Sequence, residues 1–546
     1  MISLLRILRV LWPAGFLSTT GAAAQPGVEA SRLGAVEFET SGHAGAQPHF
    51  LRGVAALHSF WYPEALVAFQ AALRLDSEYA MAWWGIAMCF NRPYLAGSND
   101  DAGRRALAQI RDTTRLAARE RAYIDALRTF YADGPIDART VAYASAMEKV
   151  YRNFPDDLEA ASFYALSLLG YRWSSEEGSA RQERAGAIAS EVYRRRPTHP
   201  GAAHYVIHSY DEPALAPRGI AAARHYAEIA PEAPHALHMP SHIFLQLGMW
   251  PEVIASNETA WAASEEWVRR KALPPTYRDY HNLHWLIYGC LQEGRYARAS
   301  ELLERFCTMR VEIPSLARHY LDDTLAAYLV ETRSWERAEA LLAQSAPSDG
   351  AGAQPDGAQV CGQIAADGIR RTGADARNFI TAYVAALQGG SGAGRDRDRL
   401  RVAALGDDAT AKLWRMRWLM VSALANVRGR SFPDALASLR QAAQLDEELG
   451  RSPGPPSSYK PPYELLGETL LSAGEPAEAR SKFEQSLQRN PNRPLSLLGA
   501  ARAAAAVKDR AGALEYYRRF RETWRSADRD RPELREAEEF ERSGTK

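Results

Sequence analysis

Eight of the thirteen histidines in this 546-residue chain fall between residues 201 and 288, and seven of them, His204, His208, His235, His238, His242, His281 and His284, recur at helical offsets. An imidazole titrates near neutral pH, and the neutral ring is a good nitrogen ligand for zinc, copper, iron or nickel. Converging rings would repel one another if protonated together, so such a group is expected to be held mostly neutral. The offsets are three and four: His204 with His208, His235 with His238 and His242, His281 with His284 and then Tyr288. On an α-helix those offsets set side chains on one face, and two histidines four apart on a helix make a two-nitrogen metal ligand. The spacing predicts a transition-metal site of one ion or two, with copper or zinc best suited to all-nitrogen ligation. The most compact set is His204 and His208 with His238 and His242. His235, His281 and His284 form a second set one layer on. Asp211, Asp279 and Tyr288 are close enough in sequence to orient the ligands.

Side chains on different helices share an ion only if those helices stack. Packed helices lie roughly 8–10 Å apart and a histidine nitrogen sits about 2.0–2.1 Å from zinc, so rings on adjacent helices can reach a common point. The sequence supplies a stacking unit: His204 to His238 and His208 to His242 are each 34 residues, while His235 to His281 and His238 to His284 are each 46. A spacing of 34 is the tetratricopeptide period. Pro197 and Pro231 close two repeats, and Gly248 with Trp250, then Gly294 with Tyr296 and Ala299, fall where that repeat turns from its first helix to its second. In these features the chain resembles the tetratricopeptide family. The resemblance implies an all-α, right-handed solenoid of helical hairpins whose first helices (the A helices) line a concave groove at repeat positions 2, 5 and 9. Those positions hold Gly201, His204 and His208, then His235, His238 and His242, then His281, His284 and Tyr288. The implied groove wall is almost wholly imidazole.

Taken in order, Pro48 to Asp76 matches a first repeat, whose His49 and His58 are out of the later register and read as packing or surface groups. Trp84 lies near a groove position in an apolar helix, Ala80 to Phe90, and reads first as core. His319 to Leu342 repeats the pattern and puts Tyr320 and Asp323 at positions 2 and 5. Asp323 is then a solvated helix-face carboxylate or a further ligand or acceptor. Stretches rich in Gly, Pro, Asp and Arg at 345–357 and 389–398 read as mobile loops. The expected organisation is an N-terminal solenoid over 25–344, an irregular connector over 345–410, C-terminal repeats over 411–526 and a charged, solvated tail over 527–546. Glu464 and Glu468 take groove positions 5 and 9 of the cleanest repeat, as ordinary polar groove residues or facing the histidine wall across the groove.

Lys and Arg balance Asp and Glu at 66 each, and no basic stripe carries interleaved aromatics, which speaks against nucleic acid as a partner. Arg6, Arg9, the apolar run from Val10 to Leu17 and the small residues Gly21 to Ala24 read as a secretory signal over 1–24, hence a periplasmic or secreted protein. No later run is apolar enough to span a bilayer. Cys89, Cys290, Cys307 and Cys361 form no C-x-x-C pair, though Cys290 and Cys307 sit on the two helices of one hairpin and could join after export. There is no H-E-x-x-H, Walker A or G-x-S-x-G sequence, so any catalysis is expected to be metal-dependent, with redox and hydrolytic chemistry both open. The stretches from His204 to His208 and from His235 to His242 resemble those of secreted bacterial tetratricopeptide proteins with histidine-rich A helices. That likeness implies fold and export, and no particular reaction. The alternative is a non-catalytic scaffold that holds a peptide, protein or small molecule in the groove, beside Trp84, Tyr288, Tyr320, Glu464 and Glu468. Recurrence of ligand-like spacing on three successive helices favours the metal.

Overall fold

Proline opens many of the helices, because in the first turn its missing N–H costs nothing and its fixed φ is already helical. Pro200, Pro234, Pro462 and Pro494 start inner helices in this way, and Pro63, Pro251 and Pro476 start outer ones. The computed structural model describes residues 32–92, 98–170, 176–313, 317–345, 373–389, 393–450 and 453–543. In chain order the helices are α1 Gln47–His58, α2 Tyr62–Leu75, α3 Ala80–Asn91, α4 Asp100–Leu107, α5 Ala118–Phe130, α6 Ile136–Asn153, α7 Leu158–Leu169, α8 Glu176–Arg195, α9 Pro200–Ser209, α10 Ala216–Ile229, α11 Pro234–His238, α12 Pro240–Gln246, α13 Trp250–Arg270, α14 Tyr280–Gln292, α15 Tyr296–Thr308, α16 Arg318–Thr332, α17 Ala338–Gln344, α18 Gly373–Gln388, α19 Ala393–Ala403, α20 Ala409–Arg428, α21 Phe432–Leu449, α22 Pro462–Ser472, α23 Pro476–Arg489, α24 Pro494–Ala506, α25 Arg510–Thr523 and α26 Pro532–Arg542. No β-strand occurs among the described residues.

Neighbouring helices pair as hairpins, and inner helices also touch the inner helix one hairpin on, as α7 does α9, α14 does α16 and α22 does α24. This is the all-α helical-hairpin solenoid of tetratricopeptide type. The two layers differ in pattern. Every residue of α9 and of α14 is buried, whereas outer α15 buries only one stripe, including Ala299, Leu302, Leu303 and Phe306. A helix apolar all round is one enclosed on every side, and an apolar stripe marks one with a wet face.

The inner face is enclosed because the C-terminal repeats return to it. The Trp250 indole N–H donates to the Asn492 carbonyl at 3.0 Å, and that of Trp524 to the Gln292 carbonyl at 3.1 Å. Tyr459 donates its hydroxyl to Asp323 at 2.5 Å. Gly248, at φ +66°, turns the chain between α12 and α13 where a Cβ would strike the Pro491 carbonyl. At Gly454 a Cβ would lie 2.8 Å from the Trp285 ring. The groove positions are therefore occupied by the chain's own segments.

Several expectations change. Pro240 can supply no N–H and its ring obstructs the preceding turn, so the histidine helix predicted from His235 to His242 is two, α11 and α12, meeting at Met239. Of the loop expected over 389–398, residues 393–398 are the opening turns of α19, supported by Arg399 with Asp396 at 3.5 Å and Arg401 with Asp398 at 3.8 Å. The loop expected over 345–357 lies, past Ser345, outside the described residues, as does the expected signal segment. The charged tail carries α26, which buries Ala537. Cys89, Cys290 and Cys307 are free and buried in apolar packing, which pushes the Cys290 and Cys307 thiols up to about 12 and about 11. No described helix is long and apolar enough to cross a membrane.

Candidate metal centre

Six of the seven histidines sort into two trios. In each, the ligand-capable atoms lie within 4.8 Å of one another: His204, His208 and His235 in one, His238, His242 and His281 in the other. The helix-face pairs stay together as their spacing requires, and the third ring comes from position 2 of the next inner helix. This differs from the expected sets, in which two pairs met across α9 and α12. Stacked helices are offset along their axes, so position 2 of one helix faces position 5 of its predecessor, and the Nε2 atoms of His235 and His204 are 3.2 Å apart and those of His281 and His238 3.0 Å apart. The same diagonal applied once more would group His284 with Tyr288 and Tyr320. Phenols replace imidazoles there, and His284 stands outside both trios with its Nδ1 2.8 Å from the Thr324 hydroxyl. The trios adjoin: ring centroids of His208 and His242 are 5.9 Å apart, and those of His235 and His238 6.0 Å apart.

The backs of the rings are held. His238 Nδ1 is 2.7 Å from Asn257 Oδ1, and Asn257 is oriented by its own amide donating to the Val253 carbonyl at 2.8 Å. His238 Nδ1 is thus a donor, and its Nε2 carries a bare lone pair. Two further nitrogens, His242 Nε2 and His281 Nε2, each stand 3.0 Å from that one lone pair. One proton can serve only one of those contacts, whereas a cation at their meeting point serves all three nitrogens. His242 Nδ1 lies 2.6 Å from Asp211, whose other oxygen accepts from Gln246 at 3.0 Å. In the first trio His204 Nδ1 donates to the His58 carbonyl at 2.7 Å. Buried and polar, the clusters sit under apolar lids: Phe60 stacks on His208 and His235, and Trp285 packs on His238, His242 and His281.

Burial and mutual repulsion keep five of the six rings unprotonated. Desolvation pushes His204 down to about 3, and desolvation followed by neighbouring imidazoles holds His208, His235, His238 and His281 well below the usual histidine range. Neutral, desolvated nitrogens are the form a metal binds. His235 Nδ1 and His281 Nδ1 are buried without a hydrogen-bond partner, which is costly for a polar atom.

A third cluster escaped the sequence reading. His58 Nε2 donates to Glu159 at 2.6 Å and His199 Nε2 to its other oxygen at 3.1 Å, while Tyr205 donates to His58 Nδ1 at 2.8 Å. Burial alone would raise Glu159, yet His199 and His58 hold it well below the usual carboxylate range. Gly201 at groove position 2 leaves the room that the His58 ring fills. This trio is complete within the protein, and His58, against Phe163, does pack as expected.

The remaining candidates lie elsewhere. Asp279 is buried at the start of α14, pushed up to about 7 by desolvation against the pull of the His281 and Asn282 amides. Asp323 is no solvated carboxylate, being buried under Tyr459. Tyr320 packs on His281 and His284. Trp84 is core, against Phe38, Tyr123 and Phe163. Glu464 and Glu468 face cations and not imidazoles: Arg493 bonds Glu464 at 2.7 Å and Glu331 at 2.6 Å, and Lys460 bonds Glu464 at 2.8 Å and Glu468 at 3.0 Å. Tyr288 meets Arg493 at 3.3 Å. Asn257, which the sequence reading missed, did leave a signal. It is the polar residue inside the apolar stripe Val253, Ile254, Ala260 and Trp261 of α13.

No family model matches the chain, and no curated protein matches it in sequence. Among solved structures, a human IFIT1 dimer with m7Gppp-AAAA superposes over 88% of this chain and 90% of its own, with TM-score 0.36 and 12% identity. The Cut9–Hcn1 heterotetramer of the APC/C covers 91% and 76%, with TM-score 0.34 and 10% identity. The TPR domain of P58(IPK) covers 91% and 98%, with TM-score 0.19 and 13% identity. These likenesses carry no argument about what this chain binds.

Proposed function

We propose that this helical-repeat protein holds a transition-metal ion, copper or zinc, on His238, His242 and His281. The observation that carries the reading is the meeting of His242 Nε2 and His281 Nε2 at the single lone pair of His238, each at 3.0 Å. Asn257 and Asp211 take the outward nitrogens of two of these rings, the arrangement that points ring nitrogens at a metal and raises their basicity. Three protein nitrogens leave a coordination position for water or a small ligand, so metal-assisted chemistry is within reach of the site. The first 24 residues are proposed to direct the protein out of the cytoplasm, where it would load its metal.

Elemental analysis of protein purified from its native compartment tests the reading. Stoichiometric metal in the parent and the loss of one equivalent in His238→Ala with His242→Ala are expected. A parent protein with only trace metal, whose melting temperature a chelator leaves unchanged, sinks it. Because copper binds most nitrogen sites tightly, copper uptake in vitro does not by itself identify the native ion.

A further inference from the structure

We infer that His204, His208 and His235 hold a second ion, adjacent to the first, so that the six imidazoles form one dinuclear centre. This rests on the metal reading of the His238 trio and goes beyond it. Four observations point to it. The second trio repeats the first by the same diagonal, a pair four apart closed by position 2 of the next inner helix, with one ring nitrogen from each histidine within 4.8 Å of the others. Its rings are buried, at 0%, 2% and 1% exposure, and the His235 Nδ1 has no partner in the fold.

The lid is the second observation. Phe60, at φ +52°, is the left-handed cap that ends α1, closed by the Trp61 N–H donating to the Ala56 carbonyl at 2.9 Å, and this repeat has a phenylalanine where Gly248 and Gly294 make the same turn later in the chain. In that conformation its ring lies 4.4 Å from His204, 5.8 Å from His208 and 5.5 Å from His235, centroid to centroid. The aromatic cap of α1 thus seals this trio, as Trp285 seals the other.

Charge is the third. Each trio is backed by one buried carboxylate. Asp211 touches His242 directly. Glu159 lies behind His204, through the His58 ring at 2.6 Å and the His58 carbonyl to His204 Nδ1 at 2.7 Å. Two desolvated cations are far less costly with two fixed anions close by than with one. Contiguity is the fourth, because the rings of the two trios approach to 5.9 and 6.0 Å with no intervening layer.

The probe is Cu(II), titrated into metal-free full-length protein and followed by bound-metal analysis and electron paramagnetic resonance. Two ions per chain and a half-field transition from two interacting spins are expected. In His204→Gln with His235→Gln, about half the copper and all of the interaction signal should be lost, while the single-ion signal stays, because independent ligand sets lose metal separately. One ion per chain in the parent, or two ions with no spin interaction, overturns the dinuclear centre. No bound copper at all removes the metal reading with it. The parent measurement needs no variant to fold, so it decides the matter even if the double variant aggregates.

Discussion

Two polar clusters are buried on the same inner face of this solenoid, and they are built to opposite rules. Around Arg493, opposite charges are matched side chain for side chain: Glu331, Glu464, Lys460 and Ser496 close every strong contact at 2.6 to 2.8 Å. Around His238, like groups face like, nitrogen lone pairs converge, and ring atoms of His235 and His281 stay unpartnered. In the first cluster the chain meets every charge with an opposite one. The second keeps lone pairs that the proposed cation would satisfy. Burial alone does not separate a structural polar network from a binding site, but completeness of the hydrogen bonding does.

That contrast can be broken most directly at Arg493. Arg493→Met leaves Glu331 buried without its cation and Glu464 with Lys460 alone, and breaking a buried pair costs about 3–5 kcal/mol. Chemical denaturation should show that loss, while metal content of the folded protein stays at the parent value. Metal content that falls as steeply as stability would mean that the two clusters are one unit. Next in size is metal removal. An ion present at a hundredfold its Kd adds about 2.7 kcal/mol to the folded state, so a chelator should lower the melting temperature of the parent and lower that of His238→Ala by less.

Asp211→Asn comes third. It removes the charge behind His242 but keeps a hydrogen-bonding oxygen, and loss of such a partner weakens metal affinity about 10–100-fold. Competition against a chelator of known strength reads this out, and unchanged affinity would strip Asp211 of its orienting role. The smallest effect belongs to Glu468→Gln. Its carboxylate is 29% exposed and Lys460 keeps Glu464 at 2.8 Å, so at most about 1 kcal/mol is expected from urea unfolding. A larger loss would show that even the rim of the charged cluster is needed.

How much of this was legible follows from the range of each interaction. Offsets of three and four fix the face of a helix locally, so the histidine-bearing inner helices and their register could be read from the residues alone. The sorting into trios could not, because His235 meets His204 and His281 meets His238 only through the offset between stacked helices. Glu464 was placed in register as an ordinary polar groove residue or one facing the histidine wall, and neither reading named its neighbours. Its partners Lys460 and Arg493 sit in turns just before Pro462 and Pro494, where sequence pattern says only that a helix is about to start. His58 was correctly read as packing, but Glu159, over a hundred residues away, carries no local mark of the contact.

The closures between Trp250 and Asn492, Arg493 and Tyr288, and Trp524 and Gln292 join positions more than two hundred residues apart. A stack of repeats that touch only their neighbours can peel from either end, one unit at a time. Here the far end is fastened to the middle, so fraying of the last repeats has to undo the central ones as well. The chain should consequently lose its structure in one concerted step, with the imidazole-bearing helices among the last to exchange their amide hydrogens.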